Sequence, residues 1–153
     1  MSDIRKEMWD SMADSPYIMI GLETSYGHFE PMTAQLDKDA NSAFWIYTKK
    51  GNRIEAGGTA VAQYMSKNHD LFACIRGTLV QEIDQTIIEQ YWDKHIAAWY
   101  SNGLNDPDLL MMRFKLLDAE VWTVEPGLEG KFKLMTGMEV DPDEMGERAT
   151  LNL

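Results

Sequence analysis

The feature that most limits what this chain can become is its rhythm after Pro16. Short runs of aromatic and β-branched residues are broken by turn signals instead of by long helices. Tyr17–Glu23, Phe29–Leu36, Ala43–Thr48, Thr59–Met65 and Leu71–Val80 read as extended, and Leu109–Leu117 with Ala119–Glu125 reads as a final strand pair. The Ala43–Thr48 run, AFWIYT, is rich in residues that fit a pleated, half-buried surface. Turns fall at Ser25-Tyr26-Gly27-His28, Asp37–Ser42, Ser66–Asp70 and Pro126-Gly127. Pro31 lies inside the second run. It has no N–H to give to a ladder, so it marks an edge or a bulge.

Two segments switch to helical period. Residues 3–13 place Ile4, Met8 and Met12 on one stripe with Trp9 beside them, Ser2 is the expected N-cap, and Pro16 ends the segment. Residues 84–100 carry Ile87, Ile88, Tyr91, Trp92, Ile96 and Trp99 on a second stripe, with Asp84 as N-cap. Residues 53–57 have the length of a single helical turn. About seven strands with two helices and no βαβ alternation describe an α+β chain, an antiparallel barrel or sandwich with helices packed outside. The 153 residues suit one domain, with an acidic tail from about residue 139. Leu134–Met138 and Ala149–Leu153 are short elements of undecided type.

Charge narrows the partners. Fourteen Lys and Arg against 25 Asp and Glu leave a net charge of −11, which disfavours a nucleic-acid backbone or an anionic membrane. One cysteine, Cys74, cannot form an internal disulfide, so a reducing cytoplasm is the expected compartment. The opening MSDIRKEMWD lacks the apolar core of a signal peptide, and no run of about 18 apolar residues is present. Sixteen aromatic residues and 11 Met are plentiful for so short a chain, and a two-fold partner is the commonest way to cover the surplus.

Several chemistries drop out by inspection. The sequence has no dinucleotide or Walker glycine motif, no H-E-x-x-H and no G-x-S-x-G. His28, His69 and His95 show no metal-ligand spacing. What stands out is Lys49-Lys50-Gly51-Asn52-Arg53, three cations in five positions of an acidic protein. Such a turn either is solvated or presents cations and backbone N–H groups to an anion such as a phosphate. His28-Phe29-Glu30-Pro31-Met32-Thr33-Ala34 is either a plain edge strand or one whose freed backbone groups face a flat ligand. The Tyr91, Trp92, Trp99, Tyr100 and Trp122 aromatics read as core, and Cys74 as an inert packed thiol.

Taken in order, these segments resemble the general stress protein branch of the pyridoxamine 5′-phosphate oxidase-like, FMN-binding split barrels. The matching pieces are His28-x-x-Pro31-Met32-Thr33-Ala34, Phe44-Trp45-x-Tyr47-Thr48, Ser66-Lys67-Asn68-His69-Asp70-Leu71-Phe72-Ala73-Cys74 and Gly77-Thr78-Leu79. Trp92 with Ala97-Ala98-Trp99-Tyr100, Gly103-x-x-Asp106-Pro107-Asp108 and Ala119-Glu120-x-Trp122 follow. The resemblance spans roughly residues 4–150. It implies a six-stranded antiparallel split barrel that works as a homodimer, with one FMN in each of two interface clefts. Glu30, Pro31, Met32 and Thr33 would line the isoalloxazine ring. Tyr47, Thr48, Lys49, Lys50 and Arg53 would hold the ribityl phosphate, and Trp122 would approach from the second subunit. A nicotinamide would be the electron donor of any oxidoreductase activity. The alternative is a non-enzymatic dimer that takes another planar ligand or none. One departure is plain. Many members carry Arg before Pro-Met, where this chain has Glu30, and a carboxylate there repels a phosphate dianion.

Overall fold

The computed structural model describes residues 3–24, 27–124 and 148–152. Helix α1 (Ile4–Asp14) is followed by strands β1 (Tyr17–Leu22), β2 (Glu30–Thr33), β3 (Ala43–Lys49), β4 (Gly58–Met65) and β5 (Leu71–Gln81). Helices α2 (Gln85–Gln90) and α3 (Lys94–Ala97), a 3₁₀ turn (Gly103–Asn105), β6 (Leu109–Thr123) and β7 (Arg148–Asn152) complete it. The strands are all antiparallel, in the order β2-β1-β4-β5-β6-β3, with β7 added beside β6. The two ends of this order, β2 and β3, meet only at a single bridge, Gln35 to Trp45, which turns the sheet into a nearly closed barrel. The expected antiparallel six-stranded barrel with flanking helices is therefore present.

Alternation builds the interior. In β3, Phe44, Ile46 and Thr48 are buried while Trp45 and Tyr47 face outward; in β5, Leu71, Ala73, Ile75 and Leu79 point in. Helix α1 plugs the barrel with Ile4, Met8, Trp9 and Met12, all buried in the same core. Its last turn is tied down by the Tyr64 hydroxyl, which donates to the Ser11 carbonyl at 2.7 Å.

The structure corrects several expectations. Ser2 lies outside the described residues, and Asp3 caps α1 by accepting from the N–H groups of Arg5 and Lys6. Residues 53–57 form hydrogen-bonded turns instead of a helical one. The 84–100 helix is broken in two. Asp84 caps α2 as expected, but extended Asp93 caps a second helix by accepting from His95 and Ile96, so its backbone cannot continue the first. Residues 109–117 and 119–125 are not a strand pair. They belong to the one long strand β6, which runs to Thr123. Arg76 pairs with Asp118 and Gly77 with Leu116, which leaves Leu117 as an extra residue. Asp118, which reads as a turn, thus sits at a bulge that bends β6 around the barrel. Pro31, by contrast, sits in an unbroken β1–β2 register with no bulge. Ala149–Leu153 is largely strand, as β7. The turns at Ser25-Tyr26 and Pro126-Gly127, the 134–138 element and the acidic stretch from 139 to 147 lie outside the described residues. No helix among the described residues is long and apolar enough to cross a membrane.

Candidate functional site

The barrel is split where β2 and β3 part. The Gln35–Trp45 bridge fixes which backbone groups face the gap: Gln35 donates to Trp45 at 2.6 Å and Trp45 back to Gln35 at 2.9 Å. Antiparallel strands alternate the direction of their N–H and C=O groups, so those of Thr33 and Tyr47 also point between the strands. The same register, continued, sets Thr33 opposite Tyr47 and Glu30 opposite Lys50, yet no further pairing forms. Two of the sequence-picked segments therefore confront one another across an open slot edged with backbone donors and acceptors. Pro31 points its donor-less nitrogen to this free edge, where no ladder bond is forfeited.

At the mouth of the slot the basic turn crosses from β3 towards β4. Three of its five backbone N–H groups are not available to an anion, which narrows one expectation. Lys50 N–H is taken by the Asp108 carbonyl at 2.9 Å, Asn52 N–H by the Lys49 carbonyl at 3.0 Å and Gly51 N–H by the Glu55 carboxylate at 2.6 Å. Gly51 makes the turn with φ of +88°, a conformation glycine adopts without strain. What remains is the Lys49 N–H, which alternation turns to the gap, and the side chains. Lys49 and Lys50 are exposed and form no ion pair among the described residues. The Lys49 ammonium lies 5.6 Å from the centre of the Tyr100 ring. Backbone N–H groups of Asp108 and Asn102 hold the nearby Asp106 carboxyl below its ordinary value, and Lys49 adds to that shift.

Arg53 reaches back over the slot. Its Nη1 donates to the His28 carbonyl at 2.6 Å, and its Nε stands 3.7 Å from Glu30 Oε1. That oxygen is buried and accepts no hydrogen bond among the described residues. Glu30 and Met32 point to the inner side of β2, where Met32 packs on the core; Pro31 and Thr33 are exposed.

The other sequence-picked residues fall differently. Thr48 is buried, and its carbonyl accepts from the Tyr100 hydroxyl at 2.6 Å. The Tyr47 side chain turns away from the slot. Its hydroxyl donates to the Ile88 carbonyl at 2.6 Å and its ring meets Trp92 edge-on, so only its main chain lines the gap. Burial drives its phenol pKa far above the ordinary range and pushes that of Tyr100 up to about 12. These aromatics form a cover over β3, with Tyr91 stacked on Trp45; α2 and α3 contain no fully buried residue. Trp122 pairs with Phe72, roughly 40 Å along β6 from the Lys49 level. Across the sheet it stands four strand spacings, about 19 Å, from Thr33, out of contact with the slot edge of its own chain.

Cys74 is exposed, which corrects the packed thiol. Ala73 and Ile75 face inward, so Cys74 faces outward between Gln63 and Glu120. Partial burial, Glu120 and Asp118 raise its pKa. Glu55 and Tyr100 were not among the sequence candidates. An acid four residues after the glycine of a basic turn was the available sign for Glu55; nothing local marks Tyr100.

The profile of the pyridoxamine 5′-phosphate oxidase-like family matches residues 3–140. The chain belongs to this family. Solved structures of similar chains carry the general stress designation. A general stress FMN/FAD binding protein of Xanthomonas citri is 33% identical, with a TM-score of 0.75 over 82% of this chain and 92% of that one. A protein assigned to the general stress family in Xanthomonas campestris pv. campestris is 32% identical, with a TM-score of 0.75 over 84% and 94%. One described as general stress protein 26 of Jannaschia sp. CCS1 is 29% identical, with a TM-score of 0.79 over 100% and 99%. No curated protein sequence matches this chain.

Proposed function

We propose that this chain is an FMN-binding general stress-type flavoprotein, with the β2–β3 split as its cofactor slot and a homodimer as its working form. The observation that carries the reading is the confrontation of two unpaired strand edges with a cationic turn at their mouth. A flat heteroaromatic ring with an imide edge needs backbone donors and acceptors, and a phosphate tail needs cations. The main-chain groups of Thr33 and Tyr47 suit the first need. Lys49 and Lys50, unpaired among the described residues, suit the second, with Arg53 beside them. The residues present therefore fit the group. The FMN/FAD binding description of the Xanthomonas citri relative supports the same reading. Once bound, FMN supplies reversible one- or two-electron chemistry, with a nicotinamide as the natural donor. The protein binds the tail, orients the ring and screens one face from water.

A row of outward residues supports the second copy. Register places Thr33 beside Tyr17, then Met65, Phe72 and Trp122 across β2, β1, β4, β5 and β6. Tyr17 is 69% and Met65 52% exposed, which is unusual for side chains of their size in a strand row. A two-fold axis through the middle of this row would lay it against itself end to end. The partner's Trp122 would then arrive at the Thr33 end, beside the slot. This accounts for a residue that its own chain leaves far from the site.

The test is a fluorescence titration of the purified protein with FMN. Saturable quenching with one flavin per chain supports the reading. A colourless protein that leaves FMN fluorescence unchanged favours instead a split barrel that holds another planar ligand or none. The location we expect is the cytoplasm, where a reduced thiol such as Cys74 persists.

A further inference from the structure

We propose that Glu30 is a polyol-reading residue: its buried carboxylate oxygen accepts a hydrogen bond from a ribityl hydroxyl of the bound flavin. This rests on the flavin reading above. A repelling carboxylate at a phosphate seat is a liability unless it has another partner. Glu30 Oε1 is buried and accepts no hydrogen bond among the described residues. Its nearest cation, Arg53 Nε, stands at 3.7 Å, too far for a hydrogen bond, and Arg53 Nη1 is committed to the His28 carbonyl. Arg53 thus balances the charge of Glu30 without satisfying its oxygen, and a buried acceptor left in that state calls for a donor.

Position selects the donor. Thr33 lines the slot where a ring would lie, and Glu30 is three residues nearer the mouth, about 10 Å along the strand. The register sets Lys50 opposite Glu30 and Lys49 opposite Pro31, but the two lysine side chains are exposed, whereas the Glu30 carboxylate turns to the inner side of β2. A group between a flat ring and a phosphate, rich in O–H donors, is a sugar-alcohol chain. The inward Glu30 oxygen then meets the hydroxyls of that chain, and the phosphate lies outward against the exposed cations. The lysines and Arg53 take the anion, and the carboxylate takes the polyol.

Three probes separate these roles: lumiflavin (ring alone), riboflavin (ring and polyol) and FMN (ring, polyol and phosphate). Each is titrated by fluorescence into wild type, Glu30→Ala, Glu30→Gln and Lys49→Ala/Lys50→Ala. Glu30→Ala is expected to weaken riboflavin and FMN by the same factor, about 10-fold, and to leave lumiflavin unchanged. Glu30→Gln keeps an acceptor oxygen and stays closer to wild type for riboflavin. The double lysine variant loses FMN affinity and keeps riboflavin affinity. A Glu30→Ala loss confined to FMN would show that the carboxylate only positions Arg53, and would overturn the proposal. Unchanged or tighter riboflavin binding, or equal losses in Glu30→Ala and Glu30→Gln, would overturn it too. Circular dichroism and melting curves check that each variant is folded. A wild-type chain that takes up none of the three flavins overturns the flavin reading and this inference together. Uptake that is indifferent to Glu30 overturns this inference alone.

Discussion

Replacing Lys49 and Lys50 together with alanine is the sharpest perturbation of the proposed phosphate seat. A charge-assisted hydrogen bond contributes about 1.5–3 kcal/mol. Both lysines are exposed, so the lower end of that range applies. Lys50 then contributes about 1.5 kcal/mol to FMN binding. Lys49 contributes less, because turning to the phosphate gives up its place over the Tyr100 ring. That contact is worth about 0.5–1 kcal/mol at an exposed site, which leaves a net of about 0.5–1 kcal/mol. The two together come to about 2–2.5 kcal/mol, or roughly 30- to 70-fold in dissociation constant. The assay is the FMN titration at two salt concentrations, since exposed charges are screened and the wild-type advantage should shrink at high salt. Affinity within twofold of wild type at low salt would refute the assignment and place the anion elsewhere.

Other outcomes follow from the same geometry. Gly77→Ala should destabilise the barrel by about 3 kcal/mol, because a methyl there collides with the Phe114 ring and with the Lys115 backbone carbonyl. Phe114 is fully buried and stacked on Phe44 at 4.6 Å, so it cannot yield; a melting temperature unchanged from wild type would contradict the packing. Sedimentation should report twice the 17.5 kDa chain mass, and a species at 17.5 kDa would remove the two-fold row. The pH profile of Cys74 alkylation should have its midpoint above the ordinary thiol value of 9.0, since burial, Glu120 and Asp118 all disfavour the thiolate; a midpoint below that value would contradict the environment described.

Much of the barrel was legible in the chain, for a physical reason. Strands buried on one face write a period of two, and β3 and β5 carry it cleanly. Bends write nothing so regular. The Leu116-Leu117-Asp118 stretch breaks the alternation, and a turn and a bulge look alike until the partner strand is known. The aromatic stripe from 84 to 100 has helical period, yet Asp93 competes locally for the backbone N–H groups and divides it. The split itself depends on Gln35 meeting Trp45, a long-range pairing that no local pattern announces.

The candidate site was legible as segments, not as roles. Glu30–Thr33 and Tyr47–Arg53 do meet around one slot. Which Tyr47 atoms face that slot depends on Ile88 and Trp92, distant in sequence. The backbone amides of Lys50 and Gly51 were spoken for by Asp108 and Glu55, which only the folded chain reveals.

The most direct measurement of the central claim is a crystal structure of the protein grown with excess FMN. A flavin ring should lie between the free edges of Thr33 and Tyr47, with its phosphate against Lys49, Lys50 and Arg53. Water alone in that slot, or a flavin bound at any other place on the barrel, would contradict it.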